Sequence, residues 1–188
     1  MCGICGYLGL KDEETLDRML NRMVHRGPDD SGKFIDAGVG LGIRRLSVID
    51  VQGGHQPATN EKKNIRVVLN GEIYNYRELR DDLVAKGHQF ASQSDTEVLV
   101  HLYEEKGEEM GHSLRGMFAI ALWDCKEKIL TLARDRIDEK PLYYGFQKSS
   151  LIFGSELKAL KAHPDFIGEI DRDVLCLYLR HCYIPAPY

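Results

Sequence analysis

The 188-residue sequence lacks most of the features that mark a special class of protein. No run approaches the eighteen or so apolar residues of a membrane span. The start MCGICGYLGLKDEE also has no basic segment leading into a signal-type apolar stretch, so the expectation is a cytoplasmic chain without a membrane partner. Charge of one sign is never concentrated. The 25 basic and 29 acidic residues sum to −4 without a long block, which leaves no electrostatic footprint for nucleic acid. Proline is scarce, at six residues, and no repeat, low-complexity stretch or Pro/Gly/Ser linker interrupts the chain before its tail at 184–188. Five cysteines, at 2, 5, 125, 176 and 182, are odd in number and scattered, which excludes a disulfide framework and fits a reducing compartment.

What is present is an ordinary globular composition, 43% hydrophobic and 29% charged. At roughly 100–200 residues per domain this is one domain, large enough to bury about 70% of its unfolded surface without staples. Leu16, Met19, Leu20 and Met23 fall at i, i+3, i+4 and i+7, predicting a helix over 15–23. A second helix is predicted over 76–86, with Leu79, Leu83 and Val84 on one side and Gly87 as a left-handed C-terminal cap. Ser94-Asp95-Thr96-Glu97 has the spacing of a capping box, and Val98, Leu99, Leu102 and Tyr103 carry that helix on to Gly107. Shorter helices are expected at 156–162 and 172–182.

Strand-length apolar runs lie at 4–10, 38–43, 65–70, 117–123, 129–134 and 151–154. Met117–Trp123 is apolar throughout, which predicts a strand covered on both faces. Asp124–Lys128 has the length of a hairpin loop to the next strand. The fold class is α+β, with buried sheet and helices outside.

Cys2-Gly-Ile-Cys5 matches C-x-x-C, but it lies in a predicted strand, where residues three apart face opposite ways. For zinc, no second C-x-x-C or H-x3-5-H supplies the other half, and Cys176 and Cys182 are six apart on a predicted helix. No metal site is therefore expected. Cys5, Cys125, Cys176 and Cys182 are read as packing. Cys2 differs because it follows the initiator Met. Once Met1 is removed, Cys2 carries a thiol and a free α-amine, a nucleophile beside a base whose reference pKa is about 7.7–8.0. Three polar clusters stand out among apolar or Gly-rich surroundings: Arg44–Asp50, Asn70–Asn75 and Ser94–Glu97. Taken singly, Arg45 reads as a surface cation, Asn70-Gly71 as a hairpin turn, and Asp95 as a helix-start residue.

Together these stretches resemble the class II, N-terminal-nucleophile glutamine amidotransferases, and within them the glutaminase domain of glutamine-hydrolysing asparagine synthetases. The matching segments are Met1-Cys2-Gly3-Ile4, His25–Asp30 (HRGPDD), Arg45–Asp50 (RLSVID), Asn70–Asn75 (NGEIYN), Ser94–Glu97, Leu114–Phe118, Arg134-Asp135-Arg136 and Lys140–Tyr144 (KPLYY). They run in family order from residue 1 to about 157. HRGPDD, RLSVID and KPLYY point to the synthetase branch rather than to glutaminases feeding glucosamine-phosphate or phosphoribosylamine synthesis.

The resemblance implies an αββα sandwich of two mostly antiparallel sheets flanked by helices. It implies Cys2 as nucleophile and Asn70 with the Gly71 N–H as oxyanion donors. It places the substrate, L-glutamine, among Arg45, Leu46, Ile49, Asn70, Gly71, Glu72 and Asp95, with Arg45 on the α-carboxylate and Asp95, Glu72 and the Gly71 carbonyl on the ammonium. Ammonia then passes to an acceptor, aspartate in the synthetase branch, or a sugar, peptide or other metabolite in its relatives. The rival from another class is a non-catalytic docking module of the same fold, and a homodimer is compatible with either reading.

Two departures stand out. Ile137-Asp138-Glu139 lies where the family has Gly. If the backbone there has φ > 0, Asp is one of the few tolerated replacements. Nothing resembles the Ser-Gly-Gly-x-Asp-Ser pyrophosphate loop, so 1–183 is expected to be the glutaminase domain and 184–188 the start of a linker. ATP and Mg are implied only for a synthetase domain absent from this chain.

Overall fold

The computed structural model describes residues 1–9, 12–36 and 38–185. In chain order its strands are β1 (Gly3–Leu8), β2 (Asp30–Asp36), β3 (Val39–Arg45), β4 (Ala58–Thr59), β5 (Ile65–Ile73), β6 (Gly116–Asp124), β7 (Ile129–Arg134), β8 (Tyr143–Gln147) and β9 (Ser150–Gly154). The helices are α1 (Glu13–Asn21), α2 (Tyr76–Ala85), α3 (Glu97–Lys106), α4 (Met110–Ser113), α5 (Leu157–Leu160) and α6 (Arg172–His181), with a 3-10 turn at Val24–Arg26.

The strands form two sheets, ordered β2-β3-β1-β9-β8 and β4-β5-β6-β7, with antiparallel pairing throughout. Ile4, Leu41, Ile43 and Phe153 of the first sheet pack against Val68, Ala119, Ala121 and Trp123 of the second. The opposite face of the second sheet, including Leu69, Ile120 and Leu122, is covered by Val98, Leu99 and Leu102 of α3 and Leu83 of α2. The outer face of the first sheet, with Cys5, Tyr7 and Ile152, is covered by Leu16, Met19 and Leu20 of α1 and Ala159 and Leu160 of α5. This is the four-layer αββα arrangement. β6 contributes to both clusters along alternating residues, so its uninterrupted apolar run reflects burial on both faces.

Most expected elements appear within a few residues of their bounds, and Leu10 of the expected strand 4–10 lies outside the described residues. α1 begins earlier than expected because the Asp12 carboxylate caps the amides of Glu14 and Thr15. Gly87 ends α2 at φ +101. Val84 is a correction: it is 52% exposed, whereas Leu83, Leu79 and Tyr76 face the core. The capping box is another. α3 begins at Glu97 with no side-chain cap at Thr96, and Glu97 accepts hydrogen bonds from the amides of Ala91 and Ser92, anchoring the preceding loop. The strands β2, β4 and β8 are additions, since their sequences, DSGKFID, AT and YYGFQ, carry too few core-facing residues to stand out. Cys5 is buried as expected, but Cys176 and Cys182 are exposed and fill no space, because α6 buries none of its residues. Residues 186–188 of the expected linker lie outside the described residues. Among the described residues no helix is long and apolar enough to cross a membrane.

Candidate functional site

Cys2 sits at the entrance of β1, and the strand reading of C-x-x-C holds. Cys5 is buried under α1 and α5, while Cys2 packs against the cluster between the sheets. Its backbone is held from behind. The Cys2 carbonyl accepts from Arg26 Nε at 2.8 Å, and Arg26 Nη1 lies 3.1 Å from Glu156 Oε1, which also meets His25 Nε2 at 2.9 Å. Burial opposes ionisation of Glu156, but hydrogen bonds from Lys158, His25 and Arg26 outweigh it and hold the carboxyl down at about 2. The Cys2 thiol lies 3.6 Å from the Leu46 carbonyl. Burial pushes that thiol above its ordinary value, against the pull of the Leu46 backbone, the N-terminal charge and Arg45. A thiol so placed stays protonated at neutral pH unless a base takes its proton.

A cavity of about 120 Å³ opens beside Cys2, lined also by Leu46, Asn70, Gly71, Glu72 and Lys140. It adjoins a smaller one of about 30 Å³, which shares Cys2, Leu46, Gly71 and Glu72 and adds Arg45, Ile49 and Asp95. Every site residue expected from the sequence therefore lines this one pair of cavities.

None of the bland readings survives. Arg45 is 4% exposed, and its Nη2 donates to the carbonyls of Ile49 and Asp50 at 2.9 and 2.8 Å, so the loop after β3 wraps round the guanidinium. A guanidinium has five N–H donors, which leaves others for a ligand in the cavity Arg45 lines. Asp50 ties the same loop to the segment before α3 by accepting from the Gln93 amide at 2.8 Å, and Asp29 accepts from the Ser47 amide at 2.9 Å. The HRGPDD and RLSVID stretches thus share one task, fixing Cys2 and the Arg45 loop against each other.

Asn70-Gly71 is no hairpin turn but the interior of β5. Gly71 has φ +151, and a Cβ there would lie 2.0 Å from the Met117 carbonyl oxygen, so only glycine fits. The amides of Leu69 and Ile73 are capped by Gln56 Oε1 at 2.7 Å and Asp95 Oδ2 at 2.9 Å. The two-residue alternation of a strand puts the Gly71 N–H on the same edge, between them and toward the cavity. Asn70 Nδ2 lies 3.5 Å from Ser155 Oγ, and its buried Oδ1 has no partner among the described residues.

Asp95 precedes α3 but does not cap it. Burial pushes its carboxyl up, against the Ile73 amide, the Ser94 hydroxyl and the Thr96 amide. Burial likewise pushes up Glu72, assisted by the neighbouring Asp95 charge and opposed by Lys140. Two carboxylates share a cavity wall and, among the described residues, neither is in an ion pair, a surface suited to an ammonium group.

Lys140, Ser155 and Glu156 were not singled out from the sequence. Lys140 is buried on the cavity wall, its Nζ 3.0 Å from Met117 Sδ and 3.8 Å from Met1 Sδ. Its position within KPLYY was the only signal available, and Ser155 and Glu156 carried none. The loop leading to Lys140 is built on Asp135, whose carboxylate accepts from the amides of Phe118, Ile137, Glu139 and Lys140. Burial opposes ionisation of Asp135, and these amides outweigh it, lowering the carboxyl. Asp138 stands in this loop at φ +62, the left-handed conformation that explains Gly elsewhere and tolerates Asp here. Asp135→Ala leaves these amides unpaired and is expected to cost about 2–4 kcal/mol. A lower urea midpoint at unchanged m-value checks this.

The model of the glutamine amidotransferase domain matches residues 1–188. Asparagine synthetase [glutamine-hydrolyzing] 3 of Bacillus subtilis (strain 168) is 45% identical over 179 residues, 92% of this chain and 29% of that protein. Asparagine synthetase [glutamine-hydrolyzing] 3 of Arabidopsis thaliana is 46% identical over 166 residues, 85% of this chain and 28% of that protein. The chain thus spans under a third of the length of these curated relatives. Among solved structures, the glutamine phosphoribosylpyrophosphate amidotransferase of B. subtilis superposes with a TM-score of 0.71 at 20% identity, covering 86% of this chain and 43% of that one. This likeness concerns the fold alone, the two-sheet sandwich flanked by helices. With the family model spanning the whole chain and its expected site residues gathered at two adjoining cavities, the chain belongs to the glutamine amidotransferase domain family.

Proposed function

We propose that this domain hydrolyses L-glutamine to glutamate and ammonia, and that the ammonia serves an ATP-dependent synthetase domain that amidates aspartate. The observation that carries the first part is the convergence of a thiol, a buried guanidinium, a free strand amide and two cation-seeking carboxylates on one small cavity. The second part rests on the names of relatives of which this chain matches under a third.

With Met1 removed, the Cys2 α-amine takes the thiol proton, which the raised thiol requires. The thiolate attacks the carboxamide carbon. The resulting oxyanion is met by the Gly71 N–H and the Asn70 carboxamide. A half-turn of that carboxamide lets the Ser155 hydroxyl donate to Oδ1 and turns the Nδ2 donors to the cavity, while Ser155 Oγ still accepts from the Ile4 amide at 3.0 Å. Collapse breaks the C–N bond, the α-ammonium protonates the leaving nitrogen, and ammonia departs. Water then adds to the γ-glutamyl thioester, and glutamate leaves as Cys2 recovers its proton. Arg45 holds the α-carboxylate, while Asp95 and Glu72 hold the ammonium.

The Asp95 assignment makes glutamine affinity pH-dependent with a definite sign. In the free domain burial raises this carboxyl above its ordinary value of 3.8, and a bound ammonium favours its ionised form. Affinity is therefore full above the free-state pKa and lost as pH falls through it. Glutamine Kd measured against pH in a Cys2→Ala variant, where the thiol's own titration does not enter, should weaken on the acid side. In Cys2→Ala/Asp95→Asn the affinity is low at every pH, and the dependence shrinks to the part that Glu72 contributes. A double variant that binds as tightly as Cys2→Ala contradicts the assignment.

A further inference from the structure

A second cluster of chemistry-bearing side chains, two of them on α3, shares no residue with the cavities at Cys2. We propose that Glu61, His88, His101 and Glu104 form a binding site for a divalent transition-metal ion of the zinc class. Each offers one ligand atom, and those atoms all lie within 4.8 Å of one another. His101 is 0% exposed, and among the described residues neither of its ring nitrogens has a hydrogen-bond partner, nor does the buried Glu104 Oε2. Polar atoms buried in this way are costly unless something satisfies them.

The orientation of the donors is what indicates a cation. Glu61 Oε1 is anchored by the Gln89 amide at 2.7 Å, while Oε2 stands 3.6 Å from His101 Nδ1. Glu104 Oε1 pairs with Lys62, and Oε2 stands 3.7 Å from both His101 Nδ1 and His88 Nδ1. His88 Nε2 donates to Glu105 at 3.2 Å, and His101 Nε2 faces Glu97 Oε1 at 3.7 Å, leaving Nδ1 of each ring turned inward. At His88 an outer carboxylate thus holds the far nitrogen, the usual support of a ligating histidine. A tetrahedral ion with bonds of about 2.0–2.2 Å sets its ligands roughly 3.3–3.6 Å apart, so the pairs at 3.6–3.7 Å are nearly in place and none needs to close by more than about 1.5 Å. Two imidazoles and two carboxylates suit zinc-class ions, whereas calcium and magnesium favour all-oxygen shells. The ion would clamp α3 to the chain after α2 and to the turn before β5, and a surface crevice lined by Glu61, His88 and Glu104 gives it access.

The test is equilibrium dialysis of the full chain against ZnCl₂, with thermal melts and anomalous diffraction at the zinc edge. To separate this site from thiol binding, the triple variant Cys2→Ala/Cys176→Ser/Cys182→Ser is compared with Glu61→Gln and His88→Gln, both milder than altering the buried His101. One zinc per chain should persist in the triple variant and bind at least about tenfold more weakly in the Glu61 and His88 variants. At 100 Kd of free zinc the melting temperature should rise by about 5–10 °C. The anomalous peak should lie between His101 Nδ1 and His88 Nδ1. Zinc lost with the cysteines, retained at full affinity in Glu61→Gln and His88→Gln, or not bound at all overturns the site.

Discussion

Cys2→Ala is expected to lower glutamate release on the order of 10⁶-fold, to background, while leaving glutamine binding in place. The reason is chemical rather than structural. The side chain is only partly buried, and its loss leaves the Arg26 bond to the Cys2 carbonyl untouched because that bond is to backbone. Retaining Met1 should be nearly as damaging. An acylated nitrogen cannot act as the amine base, and Met1 itself lines the cavity, its sulfur 3.8 Å from Lys140 Nζ. Glutamate release should therefore scale with the fraction of chains whose N-terminus is Cys2, as counted by intact mass. Release at the processed rate from chains with intact Met1 contradicts the amine's role, and activity in Cys2→Ala contradicts the nucleophile.

Asn70→Ala is expected to lower kcat by about 10²–10³, or roughly 2.7–4 kcal/mol of transition-state stabilisation, with little change in glutamine Kd. The Gly71 N–H remains, which is why the loss is partial. A role confined to packing would instead appear as reduced stability at nearly constant kcat, so urea midpoints measured alongside the kinetics separate the two. Ser155→Ala offers a second readout. If Ser155 orients the carboxamide through Oδ1, its removal should reduce kcat in the same direction but less, and add little in the double variant.

Where burial follows periodicity, the architecture was legible in the residues. The stripe of α1, the apolar run of β6 and the glycine ends of α2 and α3 each express a local rule that the packing obeys. Where a residue serves a distant partner, the local rule misleads. Asn70-Gly71 has the sequence of a hairpin turn, yet β6 passes so close to Gly71 that glycine is needed within a strand. Glu97 has capping-box spacing but reaches back to Ala91 and Ser92. The residues that line the two cavities beside Cys2 stood out as a set only because the motifs were matched together. No spacing in the chain connects Arg45 with Asp95, or either with Cys2. The residues that hold the site rigid were invisible for the same reason: Glu156 acts 130 positions from Arg26, and Ser155 acts 85 from Asn70. So was the histidine and glutamate cluster, where only His101 and Glu104 share a helix face at i and i+3.

The most direct measurement of the central claim is intact-mass spectrometry of the protein before and after exposure to a glutamine-analogue diazoketone, with the modified residue located by peptide mapping. Loss of Met1 and a single adduct on Cys2, protected by excess glutamine, are expected. A processed Cys2 that stays unmodified, or an adduct that forms instead on the exposed Cys176 or Cys182, would contradict that claim.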